Sequence, residues 1–289
     1  MNESGTARLE RSCTPSPGDW IRQAAPQAGL ERIEAFFGGH AYDPHRHDTY
    51  AIGYTLMGVQ SFDYRGARAD SVTGNVIVIH PDELHDGRAG AESGFHYKML
   101  YLAPRLLREA LAGEAGSLPF VRDAVATYPR LLAALRPAFA DLDRGFEALE
   151  KDQIVLAIAE ALLELDPSAR LAPRKVASSV AVDRARQFLD AHFGRTVASE
   201  ELEAETGIGR YALARHFRAL LGTSPYRYLT LRRLDQARSL MLCGAPLSDA
   251  ALASGFADQS HMTRQFKRAF GISPGRWRAI RRASAGSVP

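Results

Sequence analysis

Apolar residues change their spacing along this chain, and the change marks out its parts. Between Leu30 and Pro104 they come in short alternating or continuous runs: Ile33–Phe37, Thr49–Met57, Val59–Tyr64, Asn75–His80 and Phe95–Leu102. Gly38-Gly39, Tyr64-Arg65-Gly66, Thr73-Gly74 and Gly87 punctuate them. Alternation places successive side chains on opposite faces of a strand, and short strands at this spacing predict a sandwich or small barrel. After Pro104 the spacing lengthens and predicts helices at Arg105–Ala112, Phe120–Tyr128, Pro129–Leu142 and Glu147–Leu165. The last of these carries Leu149, Ile154, Ile158, Leu162 and Leu165 on one face, with Val155, Leu156, Ala159 and Leu163 beyond it. That surplus predicts a second packing partner, either the sheet or another subunit. Asp166–Ser179, with Pro167, Pro173, Arg174 and Lys175, reads as a linker, and Val182–Phe193 resumes helical spacing.

The remainder repeats itself. Offset by 49 residues, Ala204 falls on Ala253, Arg215 on Arg264, Phe217 on Phe266 and Gly222 on Gly271. Ser224-Pro225 likewise falls on Ser273-Pro274, Arg227 on Arg276 and Tyr228 on Trp277. Such self-similarity signals a duplicated unit. In copy one, Ser199 caps a short helix with Glu200 and Glu201 in its first turn, and Gly207-Ile208-Gly209 breaks it. Arg210–Leu221 then forms a second helix, with Leu213, Phe217, Leu220 and Leu221 on one face and Gly222 as C-cap. In copy two, Ser248–Ser254, the turn Gly255-Phe256-Ala257 and Gln259–Phe270 follow the same plan, with Met262, Phe266 and Phe270 buried. Helix, tight turn, helix of these lengths is a helix-turn-helix, whose second helix enters the DNA major groove. Between the copies, Ser224 caps and Pro225 opens a helix to about Cys243. Its apolar Leu229, Leu231, Leu234, Leu240 and Met241 make it a strut between two reading heads.

Charge sharpens this picture. From Val182 onward there are 17 Lys+Arg against 9 Asp+Glu, a net of +8, while residues 1–181 hold 19 against 24, a net of −5. A basic C-terminal third points to nucleic acid. The outer positions are Arg210, Tyr211, Ala214, Arg215 and Arg218 in copy one, and Gln259, Ser260, His261, Arg264, Lys267 and Arg268 in copy two. Most of these side chains hydrogen-bond base edges or phosphates, although charged helix faces are also commonly just solvated. No run of eighteen apolar residues occurs, and the polar stretch Met1–Gly18 has no apolar core of a secretory signal, so a cytoplasmic, non-membrane protein is expected. Cys13 and Cys243 make a disulfide framework improbable.

At several anchors the C-terminal part resembles the AraC/XylS family of transcription regulators. These are Leu202-Glu203-Ala204, Leu213-Ala214-Arg215-His216-Phe217, Gly222-Thr223-Ser224-Pro225, Ala253-Ser254-Gly255-Phe256 and Phe266–Pro274. The resemblance spans about Val182 to Ala283. It implies two helix-turn-helix units reading successive major-groove segments, with Tyr211, Ala214 and Arg215, and Gln259, Ser260, His261 and Arg264, at bases. Ala214 departs from it, being too short to hydrogen-bond a base. In the N-terminal part, Pro44-His45-Arg46-His47 and Gly74 with Pro81-Asp82-Glu83-Leu84-His85 resemble the two motifs of a cupin barrel, on which effector domains of this family are built.

His45, His47 and His85 raise the question of a metal, because His-x-His on a strand points two imidazoles to one face. Metal-binding cupins usually add a Glu shortly after that motif, and Asp48-Thr49-Tyr50-Ala51-Ile52 supplies none. No metal or other cofactor is therefore expected, and the histidines read as effector-pocket or packing groups. Tyr50, Ile52 and Tyr54 share one strand face and are expected inside the barrel with the histidines, lining a site for a small organic effector; a filled core fits the pattern nearly as well.

The expected architecture is α+β in two domains. Residues 1–25 form an arm, 26–165 a cupin-like effector-binding and dimerisation domain, 166–181 a linker, 182–283 an AraC-type DNA-binding domain and 284–289 a tail. The expected function is an effector-responsive, sequence-specific regulator. Its partners are double-stranded DNA, a small-molecule effector, a second copy in a homodimer and, for an activator, RNA polymerase. No catalytic residue is assigned. The alternative is a metal-dependent cupin oxygenase or isomerase with an appended DNA-binding domain.

Overall fold

The computed structural model describes residues 18–112, 114–115, 117–169 and 177–285. Residues 1–17 of the expected arm, 170–176 of the linker and 286–289 of the tail lie outside them, Cys13 included. The chain divides into two compact units, Met1–Phe146 with Ile154–Arg174, and Glu147–Gln153 with Lys175–Pro289.

The described strands of the first unit are β1 (Trp20–Gln23), β2 (Leu30–Phe37), β3 (His40–His45), β4 (Tyr50–Tyr64), β5 (Ala67–Val72), β6 (Val76–Ile79), β7 (His85–Ala89), β8 (Phe95–Leu102) and β9 (Val125–Ala126). Their main path runs β1-β2-β8-β4-β6-β9, with β5 and β7 on β4 and β3 on β7. The sequence suggested two strands where β4 is one, because β4 changes partners midway. Its first half pairs with β8 and β6, and its second half, from Val59, with β5 and β7. Gly58 makes the change possible. Its φ is +73°, and a Cβ there would lie 1.9 Å from the carbonyl oxygen of Gly94, so only glycine allows the strands to approach. Ala51 from the first half and Phe62 and Tyr64 from the second share one core with Phe37, Ile77, Phe95, Tyr97 and Met99. The unit is the expected cupin-like sheet domain, and among the described strands its path does not close.

The helices of this unit are α1 (Pro104–Ala110), α2 (Pro129–Leu135) and most of α3 (Ala148–Glu164). The helix expected at Phe120–Tyr128 is absent. Val121 N–H donates to His80 Nε2 at 3.0 Å, Val78 N–H to the Ala124 carbonyl at 2.8 Å, and β9 pairs with β6. Sheet partners take the backbone groups that a helix would have used internally. The expected helix to Leu142 stops at Leu135 and tightens into a 3-10 turn, Arg136–Phe139, where Pro137 lacks a donor. In α3, Ile154, Val155, Leu156, Ile158, Ala159, Leu162 and Leu163 are all buried within one chain. Of the two partners the apolar surplus allowed, the sheet or another subunit, burial within the chain covers these residues without a second copy.

The described helices of the second unit are α4 (Ser179–His192), α5 (Ser199–Thr206), α6 (Arg210–Leu221), α7 (Pro225–Leu242), α8 (Leu247–Ala253), α9 (Gln259–Phe270) and α10 (Pro274–Ala285). Two cores form. Val182, Ala185, Leu189, Leu202, Leu213, Phe217, Tyr226 and Leu229 make one; Leu234, Ala237, Met241, Ala250, Ala251, Phe256, Met262 and Phe266 make the other. α7 feeds both, Tyr226 and Leu229 into the first and Leu234, Ala237 and Met241 into the second, as a strut must. Ser224 caps it, accepting from Arg227 N–H at 3.2 Å. Ser199 does not cap α5. Ala198 holds that position, with its N–H on Glu201 at 2.8 Å, and Ser199 Oγ donates to Asp152 instead.

Candidate functional site

The helical repeat of 3.6 residues decides which side chains of α9 are left for a partner. His261, Met262, Gln265 and Phe266 fall on one stripe and are buried. His261, expected at a base, is only 2% exposed, with its ring 5.4 Å from Phe256; it belongs to the inner face. Gln259, Ser260, Lys267 and Arg268 are exposed, and Arg264 is half-buried beside them. Thr263, half-buried between Ser260 and Lys267, was missed. The 49-residue offset pointed to it, since Thr263 is the counterpart of Ala214.

The equivalent surface of α6 differs. Arg218 is exposed and Arg215 half-buried, but Tyr211 and Ala214 are each only 6% exposed. Arg210 does not project freely either. It pairs with Glu200 at 2.7 Å, Glu203 at 3.1 Å and Asp152 at 3.8 Å. Carboxylates around the guanidinium raise the Arg210 pKa even against burial.

In the first unit the structure brings the three expected histidines together. His45 lies opposite His85 in the β3–β7 register. Ring centroids are 4.3 Å apart for His45 and His85, 4.8 Å for His47 and His85, and 6.1 Å for His45 and His47. Each Nδ1 lies 2.8–2.9 Å from a carbonyl oxygen, of Asp43, Thr49 and Glu83 respectively. A carbonyl only accepts, so in the neutral ring Nδ1 carries the proton and Nε2 keeps a lone pair. Burial lowers the pKa of His47, and that of His85 to about 4, which holds both neutral. His47 Nε2 is buried with no hydrogen-bond partner. Tyr42 and Tyr101 flank the cluster, at 5.7 Å from His45 and 5.4 Å from His47. No three His, Cys, Asp or Glu side chains among the described residues are arranged to hold a metal ion.

Tyr50, Ile52 and Tyr54 are not part of this cluster. Ala51 lies opposite Tyr101 and Ile79 and faces the core beside the histidines, so alternation turns Tyr50, Ile52 and Tyr54 to the other side of the sheet. There Tyr50 donates to the Pro119 carbonyl at 2.9 Å, and Tyr54 packs 5.8 Å from Phe139. Ile52 is wholly buried. The sequence pattern showed that these residues share a face but not which face. The same side holds His80, which no motif had marked. Its Nε2 accepts from Val121 N–H, its Nδ1 lies 3.0 Å from the Tyr64 hydroxyl, and burial lowers its pKa to about 4.

Comparison with known proteins puts a family on both parts. A model of the AraC-like ligand binding domain matches residues 27–159, and one of a helix-turn-helix domain matches residues 202–280. The uncharacterized HTH-type transcriptional regulator YbfI of Bacillus subtilis is 28% identical over 225 residues, covering 75% of this chain and 80% of its own. The HTH-type transcriptional activator RhaS of Klebsiella pneumoniae is 25% identical over 244 residues, covering 81% of this chain and 86% of its own. The crystal structure of ToxT from Vibrio cholerae matches 88% of this chain and 98% of its own at 10% identity, with a TM-score of 0.36. An AraC-like ligand-binding domain preceding a duplicated helix-turn-helix, matched over most of its length by regulators, makes this chain a member of the AraC family of transcription regulators.

Proposed function

We propose that this regulator reads double-stranded DNA with the outer faces of α6 and α9 and responds to a small-molecule effector bound beside His45, His47 and His85. The outer face of α9 carries the reading. Amide, hydroxyl and guanidinium groups of Gln259, Ser260 and Arg264 are the types that recognise base edges, while Lys267 and Arg268 suit phosphates. On α6, Arg215 takes the base-reading role and Arg218 a phosphate. The 18 residues of α7 span about 27 Å, a separation that suits two heads on one face of the duplex.

The neutral His47 and His85 present imidazole lone pairs that accept hydrogen bonds, so the cluster suits an effector rich in hydroxyl or amine donors. Residues 26–165 serve as effector and dimerisation domain, 166–181 as linker and 182–283 as DNA-binding domain. The chain works in the cytoplasm as a homodimer, meets RNA polymerase where it activates, and carries no catalytic step of its own. No described helix is long and apolar enough to cross a membrane.

The test is selection of DNA fragments by the purified chain, with and without candidate metabolites. Affinity for the selected operator should fall with salt at a slope of about −0.9 per phosphate contacted. His47→Ala should abolish the metabolite response and leave basal operator affinity intact. A flat salt dependence overturns the DNA reading, and an unchanged response in His47→Ala overturns the effector site.

A further inference from the structure

The duplication provides an internal control for what buries a reading helix. Leu213 and Phe217 of α6 are buried, and so are their counterparts Met262 and Phe266 of α9, because both pairs form the inner stripe of a helix-turn-helix. Packing of the motif itself therefore accounts for these positions. It does not account for Tyr211 and Ala214, whose counterparts Ser260 and Thr263 are exposed and half-buried. Something additional covers the first head.

The residues beside it are Glu147–Gln153, which belong to the second unit although all but Glu147 lie in α3. Glu147 takes two hydrogen bonds, 2.8 and 2.9 Å, from Nη1 of Arg233 in α7, a guanidinium only 1% exposed. Leu149 enters the core of Leu202, Leu213 and Phe217. Asp152 accepts from Ser199 Oγ and faces Arg210, the first residue of α6. Gln153 accepts from Ser224 Oγ, at the cap of α7. Four of seven residues thus touch the start of α5, the start of α6, the cap of α7 and its middle. In copy two the counterparts of Ser199 and Arg210, Ser248 and Gln259, are exposed. The chemistry also fits: Glu147 and Asp152 set carboxylates against Arg233 and Arg210, and Asp152 occupies Arg210 as a DNA phosphate would.

We propose that Glu147–Gln153 is an intramolecular strap closing the first reading head, so that the chain in this form reads DNA with α9 alone and engages α6 only when the strap lifts. The inference rests on the DNA-binding reading of both helices. The same helix continues from Ile154 in the first unit, which makes α3 the covalent route from effector to reading head.

The first experiment needs no DNA. In full-length chain with Cys13→Ser and Cys243→Ser, alkylation of Ala214→Cys should be at least about tenfold slower than that of Thr263→Cys. Adding Leu149→Ala and Asp152→Asn should accelerate the first and leave the second unchanged, with circular dichroism confirming that the fold persists. Equal rates at the two positions overturn the strap, as does a rate at position 214 unaffected by the two substitutions. Should the pair of substitutions prevent folding, Asp152→Asn alone in the same assay decides. The second experiment is a footprint on the selected operator. The native chain without effector should protect one major-groove segment, lost in Arg264→Ala, and the strap variant should extend protection by one helical turn and bind about tenfold more tightly. Two segments protected from the outset overturn the proposal. Loss of binding in neither Arg264→Ala nor Arg215→Ala would instead overturn the DNA reading, while slow alkylation at position 214 would still uphold the closure.

Discussion

The two helix-turn-helix copies share Leu213/Met262 and Phe217/Phe266 inside, glycine C-caps and the Arg215/Arg264 pair, and differ at their N-caps and along the rest of the outer face. In α9, Asp258 caps the helix itself, accepting from His261 N–H at 2.6 Å. In α6 the equivalent position is Gly209, which has no side chain to offer, and Glu203 of the preceding helix accepts from Arg210 N–H at 2.8 Å instead. Its counterpart in copy two, Leu252, is exposed. One copy thus supplies its orphan donors from within the reading helix and the other from its neighbour. Duplication preserves the core positions and the glycine C-caps and leaves N-caps and most of the outer faces free to diverge, so likeness in sequence here is evidence of a shared fold and not of equal roles.

The largest test of that statement lies in the cores. Phe217 and Phe266 are both fully buried, so Phe217→Ala and Phe266→Ala should each cost about 3–5 kcal/mol in urea unfolding of the full chain. If one costs less than half the other, the inner stripes are not equivalent and the comparison breaks.

Extending the contrast to the first unit brings in pH. Burial holds His80 and His85 neutral with pKa values of about 4, against about 6.5 in an unfolded chain. The unfolded state therefore binds more protons between those values. Stability from these groups is fully present above pH 6.5 and is lost as pH falls through 4, by up to about 3 kcal/mol for each. Melting of the first unit followed from pH 7.5 to 4 should show the loss, and His80→Gln should flatten part of it. An unchanged slope in that variant would assign the acid sensitivity elsewhere.

At the DNA surface the asymmetry should appear as unequal losses. On the selected operator without effector, Arg264→Ala should cost about 1–3 kcal/mol and relax preference at one base pair. Arg215→Ala should cost less until both heads engage. Equal costs at both positions in the effector-free chain would remove the difference between heads. The smallest effect concerns the caps. Asp258→Ala should lower stability by about 1 kcal/mol, whereas Gly209→Ala should change it little, because Glu203 already serves α6. A large loss from Gly209→Ala, measured in the same melts, would mean that α6 depends on its own N-terminal residue after all.

The repeat, the strut and the strands were legible because each follows from local periodicity. Phe95–Leu102, Gln259–Phe270 and Arg210–Leu221 have the bounds their spacing predicts, and Gly222 and Gly271 end their helices in the left-handed conformation only glycine adopts freely. Periodicity sorts residues onto faces, and that much the chain determines alone. Which face meets what depends on groups distant in sequence. Tyr50, Ile52 and Tyr54 share a side by alternation, but only the pairing of Ala51 with Ile79 and Tyr101 shows that the histidines lie on the opposite one. The stretch Phe120–Tyr128 reads as helix locally and becomes an edge of sheet because His80 and β6 claim its backbone. His261 is polar by composition and inner by angle, and Tyr211 and Ala214 are outer by analogy yet buried in fact. Burial is a property of neighbours. Residues 147–153 approach Arg210, Ser224 and Arg233 across 58 to 86 positions of sequence, and no spacing rule reaches that far.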